Sequence, residues 1–257
     1  MVEATGVYPA KKTGIVASTA CYITAAMMPQ AHELVMPLSA TFLMLWLLVF
    51  NKKSASISEI SSSLLGMFYV GFMPSFWVRL RGIDVIIPTK FPALMRQFTW
   101  AHADLWSIGA IMTWWTWFSI VLADVGAYFV GKNLGKHKLA SISAAAGAAS
   151  PNKTVEGALG GLAACMLSTI VGANLMMWPL WPVTGAAYGL MLAIIALVGD
   201  LTASMMKRDA GMKDSGNILP GHGGLLDRID SYMFTAPAAF FFSRNVLPLA
   251  IQIRNKL

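Results

Sequence analysis

The sequence predicts an all-α, polytopic transmembrane helical bundle of about seven spans. Three observations predict it. Of 257 residues, 56% are hydrophobic and only 12% charged, roughly half the charged fraction of a soluble domain. Mean hydropathy is +0.62. The apolar residues fall into repeated runs that approach the roughly 20 residues a bilayer crossing needs, and the charges collect between them. The formal charge of +7 is spread over those short connections. That pattern fits orientation signals and contacts with anionic lipid or phosphate, and argues against a nucleic-acid partner.

The stretch MVEATGVYPAKKTG reads as the approach to a first span rather than a cleaved signal peptide. That span runs over Thr13–Met28 and the second over Leu34–Phe50, closed by Asn51, Lys52 and Lys53. Both are short, so one of them is a candidate for a tilted or re-entrant segment. The third, Leu64–Leu80, is aromatic-rich and closed by Arg79 and Arg81. A connection from Gly82 to about Asp104, with Pro88, Lys90, Pro92 and Arg96, suits the membrane interface. Span four covers Trp106 to about Val130 and opens on the Trp106, Trp114, Trp115, Trp117 cluster of an interfacial belt. A polar loop over 131–157 follows. Spans five (Ala158–Met177) and six (Ala186–Met206) are joined by the uncharged turn WPLWPVTG. A polar segment, Ser204–Asp230, precedes span seven, Thr235–Ile253. We divide the chain into an N-terminal membrane region, 1–105, and a C-terminal catalytic membrane region, 106–257, with the loop 204–230 at its heart. Cys21 and Cys165 lie in apolar runs without a metal-ligand or redox spacing and read as buried small hydrophobes. The aromatic and methionine content reads as packing.

Charge counting orients the bundle. With the 204–230 loop on the cytoplasmic side, or its organellar equivalent, alternation places Lys11, Lys12, Lys52, Lys53, Lys132, Lys136, Lys138, Lys153, Lys207, Arg208, Lys213 and Arg228 on that side. Arg79, Arg81, Lys90 and Arg96 depart from the rule. Either their connection is an exception or the span count differs by one.

The chemistry concentrates in SMMKRDAGMKDSGNILPGHGGLLDRID. Lysine and arginine bind phosphate oxygens, glycines admit backbone N–H groups to them, and carboxylates hold hard cations. Asp200 lies inside span six, where an uncompensated carboxylate is unfavourable. Helical spacing puts Asp200, Ser204 and Lys207 on one face. Asp227 and Asp230, spaced i, i+3, point the same way if helical. Together with Asp200 they make a plausible Mg²⁺ site. His222, within PGHGG, is placed to donate to a phosphate or to orient a carboxylate. A second cluster joins Asp124, an intramembrane carboxylate, with Lys132 and Lys136 at the membrane edge. It adds Ser150–Thr154, which opens span five at a helix N-terminus. Arg244, in FFFSRNVLPL, suits pairing with a span-six carboxylate, a lipid phosphate, or snorkelling to the interface.

Ser204, Met206-Lys207-Arg208, Lys213-Asp214, Gly216, Leu219-Pro220, His222-Gly223-Gly224-Leu225 and Asp227-Arg228-Ile229-Asp230 together resemble the signature of the phosphatidate cytidylyltransferases, the CDP-diacylglycerol synthases. The match runs without a gap, and 124–136 and 150–161 support it. One departure is Asn152, where the family pattern has lysine; Lys153 remains beside it. The resemblance implies a helical membrane fold with a polar cavity open to one membrane face, and the reaction of CTP with phosphatidate to CDP-diacylglycerol and pyrophosphate. It implies Mg²⁺, with a monovalent cation such as K⁺ as its companion, on Asp200, Asp227 and Asp230. It further implies a homodimer in a bacterial plasma membrane or a plastid-type membrane, with the active loops on the cytoplasmic or stromal side. Lys207, Arg208, Lys213 and Arg228 are assigned to phosphates, and His222 to orientation or proton donation. Asp124, Lys132, Lys153, Ser204, Asp214, Gly223 and Gly224 are assigned to substrate binding. Two other readings compete: a CTP-dependent polyprenol or phytol kinase, and a cation transporter using Asp124 and Asp200.

Overall fold

The computed structural model describes residues 6–50, 54–83, 107–216 and 223–256. Lys52, Lys53, most of the 82–104 connection, Trp106, Leu219, Pro220 and His222 lie outside them. Among the described residues the fold is helical, with an isolated β-bridge from Lys138 to Thr154. In order come α1 (Lys11–Met27), α2 (His32–Phe50), α3 (Ile57–Gly66), a π-helical turn (Met67–Phe72) and α4 (Met73–Arg81). Then follow α5 (Ile108–Leu134), α6 (Ala144–Ala149), α7 (Val155–Leu175) and α8 (Trp181–Asp209). The chain closes with α9 (Leu226–Phe241), a second π-helical turn (Phe242–Val246) and α10 (Leu247–Arg254).

Among the described residues, five helical stretches are long and apolar enough to cross a membrane: α2, α5, α7, α8 and the continuous Leu226–Arg254 rod. The 17-residue α1 and the rod over 57–81, which carries a serine run and Arg79 and Arg81, fall outside that set. The outward faces are apolar: on α2, Leu38, Phe42, Leu45, Leu48 and Phe50 are all more than half exposed. A surface of that kind is stable against hydrocarbon and not against water.

The helix ends follow local chemistry. Ser107 and Thr154 cap α5 and α7 by accepting from the backbone N–H of Ala110 and Gly157, at 3.2 and 3.1 Å. Pro182 sits in the first turn of α8, where its missing N–H is harmless. The predicted turn WPLWPVTG therefore already contains the start of α8. At its other end α8 runs through Lys207 and Arg208 to Asp209, because basic residues suit a helix C-terminus. α9 begins at Leu226. Both ends of the predicted 204–230 loop are thus helical, and its connection shortens to 210–225. Span seven begins earlier than predicted for the same reason, with Asp227 and Asp230 in its first turns.

The main core joins α4, α5, α8 and α9 through Phe76, Leu80, Ile111, Met112, Leu192, Ala236 and Phe240. α5 and α7 pack most extensively. Their contact is made by small residues: a Cβ on Gly160 would meet Val130 at 2.5 Å, and one on Gly161 would meet the Ala123 carbonyl at 2.7 Å. α8 crosses α9 as closely, with Gly199 against the Asp230 carbonyl. Cys21 and Cys165 are buried and unbridged. Arg244 pairs with Glu33 of α2 at 3.3 Å, so its partner is not a span-six carboxylate. Glu33 also lies 3.6 Å from Arg79, whose guanidinium stacks 4.4 Å above the Phe240 ring.

Candidate active site

A cavity of about 660 Å³ opens where α5, α7, α8 and α9 meet at one end of the bundle. Each wall follows from helical periodicity. Asp124, Tyr128 and Gly131 share a face of α5, and Lys132 stands at their edge. Asn152, Lys153 and Thr154 enter from the connection leading into α7, Asp200 from α8, and Asp227, Asp230 and Ser231 from the first turns of α9.

The connection into α7 is held rigidly. Leu139 N–H donates to the Lys153 carbonyl and Val155 N–H to that of His137, both at 2.9 Å. Glu156 accepts from the backbone N–H groups of Lys136 and His137 at 3.1 and 3.2 Å and contacts the His137 ring nitrogen Nδ1 at 2.6 Å. The clamp aims Lys153 into the cavity, where its ammonium pairs with Asp200. Ser204 Oγ reaches the other oxygen of Asp200 at 3.4 Å, as the shared helix face predicts.

Asp227 accepts four hydrogen bonds. Lys207 Nζ donates to its Oδ1 at 2.8 Å. Its Oδ2 accepts from Ser215 N–H at 2.8 Å and from Ser215 Oγ and Gly224 N–H at 2.9 Å. One carboxylate therefore ties the end of α8, the 210–225 connection and the start of α9 together. The glycines are required by space: Gly223 holds φ +81°, and a Cβ on Gly224 would fall 2.1 Å from Ser215 Oγ. Asp230 is buried, and its Oδ1 accepts from Ser231 N–H at 2.8 Å.

The sequence-predicted residues Asp124, Lys132, Lys153, Asp200, Asp227 and Asp230 share this one cavity. Ser204, Lys207 and Gly224 stand behind it, bonded to its carboxylates, and Gly223 adjoins Asp227. Arg208, Lys213, Asp214 and Arg228 are exposed and do not line it. Ser215 was not singled out by the sequence, although a hydroxyl between Asp214 and Gly216 is a turn signal. Among the described residues no three acidic, histidine or cysteine side chains are gathered closely enough to hold a metal ion. Lys153 and Lys207 instead neutralise two of the three aspartates. The donor set nevertheless suits a hard cation. Four carboxylates against two lysines line the wall, and such a wall repels a phosphate-rich ligand until further positive charge enters.

The sequence profile described as the cytidylyltransferase family matches residues 3–246. The chain belongs to the cytidylyltransferase family. It is 44% identical over 253 residues to the phosphatidate cytidylyltransferase of Synechocystis sp., covering 97% of this chain and 84% of that relative. It is 35% identical over 243 residues to phosphatidate cytidylyltransferase 4, chloroplastic, of Arabidopsis thaliana, covering 90% of this chain and 59% of that longer protein. The corresponding Bacillus subtilis protein is 33% identical over 204 residues, or 79% of this chain and 65% of the relative. Membership accounts for the unbroken signature. In this cytidylyltransferase the signature's Lys207, from α8, and Asp227, from α9, are joined by a hydrogen bond of 2.8 Å.

Proposed function

We propose that this chain transfers the cytidylyl group of CTP to phosphatidate, releasing pyrophosphate and leaving CDP-diacylglycerol in the membrane. The observation that carries the reading is the placement of Asp124, Lys153, Asp200, Asp227 and Asp230 around one cavity in an otherwise apolar bundle, in a chain closely similar to phosphatidate cytidylyltransferases.

The nucleophile is an anionic phosphate oxygen, so no strong base is required. It forms a bond to the α-phosphorus of CTP as the bond to pyrophosphate breaks. The task of the protein is to hold two anions together and to stabilise the charge that develops. Lys153, Lys207 and Lys132 bind phosphate oxygens in this scheme, with Arg208, Lys213 and Arg228 meeting them at the mouth and His222 orienting the nucleotide. Asp200, Asp227 and Asp230 would hold Mg²⁺, with a monovalent companion, and a cation there supplies charge neutralisation for the leaving pyrophosphate. Lys153 and Lys207 then pass from carboxylate to phosphate. The region 106–257 carries this chemistry in this reading, and the basic charge of its connections supports a cytoplasmic or stromal position.

The test is pyrophosphate release by purified protein in detergent micelles containing CTP and Mg²⁺, with and without phosphatidate. Lipid-dependent pyrophosphate with recovered CDP-diacylglycerol supports the reading. CDP without pyrophosphate replaces it with a lipid kinase, and neither product from folded protein removes it.

A further inference from the structure

Tyr69 sits in the π-helical turn Met67–Phe72, at 3% exposure. Among the described residues its hydroxyl is the one buried side-chain polar atom with no hydrogen-bond partner. Burying a phenol without a partner is unfavourable by the full desolvation of the O–H group, and native proteins seldom tolerate it without a use. Phenylalanine would fill the same space without that penalty. Five neighbouring or nearby rod positions, Phe68, Phe72, Phe76, Phe234 and Phe240, do carry phenylalanine.

Its surroundings point to the use. The Tyr69 ring packs 5.6 Å from Phe234, one helical turn beyond Asp230 on α9. Asp230 and then Asp200 are the charges that act most strongly on its phenol. Of the Asp230 oxygens, Oδ1 accepts from Ser231, while Oδ2 accepts no hydrogen bond among the described residues. A buried donor without an acceptor thus packs against the helix whose Asp230 offers the cavity an acceptor without a donor. The π-helical turn is a second, independent sign, because such turns re-aim side chains and recur at functional positions.

We propose that Tyr69 is a positioning residue for the reaction: its hydroxyl donates to the free oxygen of Asp230 when the cavity is occupied, fixing the carboxylate in the orientation that holds a cation against substrate phosphate. The proposal rests on the reading of Asp230 as part of the active cavity. It makes the N-terminal rod over 57–81 a contributor to a site otherwise built from α5 to α9.

The test is Tyr69→Phe in the full chain. Removing an unpartnered buried hydroxyl leaves the thermal unfolding midpoint unchanged or raises it. The Mn²⁺ dissociation constant, read by electron paramagnetic resonance, rises about tenfold or more, the scale of one hydrogen bond to a charged group. The divalent concentration for half-maximal pyrophosphate release rises in parallel. Phe234→Leu loosens the same packing without touching the hydroxyl; it lowers the midpoint and leaves Mn²⁺ affinity near that of the wild type. Equal Mn²⁺ affinity in Tyr69→Phe and wild type overturns the proposal, as does a Phe234→Leu shift as large as that of Tyr69→Phe. If the wild type released no lipid-dependent pyrophosphate, the functional reading would fail, and the Mn²⁺ comparison would still decide the role of Tyr69.

Discussion

Replacing Asp227 by asparagine keeps the shape of the side chain and removes its charge. Two orientations of the amide are open to it. With Oδ1 toward Ser215 and Gly224, three hydrogen bonds survive, but the amide NH₂ faces the Lys207 ammonium that stood 2.8 Å from a carboxylate oxygen. Turned over, it accepts from Lys207 and sets NH₂ against two backbone N–H groups. The first arrangement is the less unfavourable, and it leaves an ammonium whose side chain is 14% exposed without its counter-charge. Breaking one partner of such a pair typically destabilises by ~3–5 kcal/mol. Loss of a comparable ~3 kcal/mol from the transition state corresponds to a rate decrease of more than 100-fold. Lys207→Met added to Asp227→Asn removes the orphaned ammonium. Thermal unfolding and pyrophosphate release on both single variants and the double variant separate the roles. Stability returns in the double variant and the rate does not, because Asp227 and Lys207 both act in the reaction as well as in the fold. An Asp227→Asn enzyme with wild-type rate at every Mg²⁺ concentration, or a double variant in which rate recovers together with stability, would refute the reasoning.

Lys153→Met is expected to behave differently. Its pair with Asp200 is about 30% exposed on both sides, so the unfolding midpoint changes by the equivalent of less than ~1 kcal/mol, whereas the rate of CDP-diacylglycerol formation drops by about 100-fold. Gly199→Ala is expected to lower the unfolding midpoint, because its Cβ would fall 2.7 Å from the Asp230 carbonyl, and overpacking of this kind costs about 1–3 kcal/mol. The same shift of α8 against α9 reduces activity, which a steady-state assay reads beside the midpoint.

Much of the site was legible because its chemistry repeats at helical spacing. Asp200 and Ser204, four apart, do face each other, and Asp227 and Asp230 do enter one cavity. Asp124, Tyr128 and Gly131 likewise line one wall, as their helical spacing requires. The boundaries were less legible: charge in 204–209 and 226–230 reads as loop, yet Lys207 and Arg208 favour a helix end and Asp227 a helix start. Tyr69 was invisible, since a tyrosine among phenylalanines and methionines looks like packing, and a π-helical turn carries no sequence signal. The pairing of Arg244 with Glu33 joins residues 211 positions apart, which no local pattern encodes.

The close, glycine-lined contact of α5 with α7 also has a bearing on biosynthesis. Lipid tails are as apolar as leucine, so helices inside a bilayer associate through tight van der Waals fit rather than by escaping water. α5 and α7 can therefore seal against each other as soon as both are inserted, setting Asp124 near Lys153 while the ribosome is still translating. Asp227 and Asp230 arrive only with the Leu226–Arg254 rod, after α5 and α7, since synthesis runs from N- to C-terminus. On the proposed role of Asp227 and Asp230, the nascent chain stays inert until the Leu226–Arg254 rod docks, and a membrane holding shorter nascent chains holds no partly active ones.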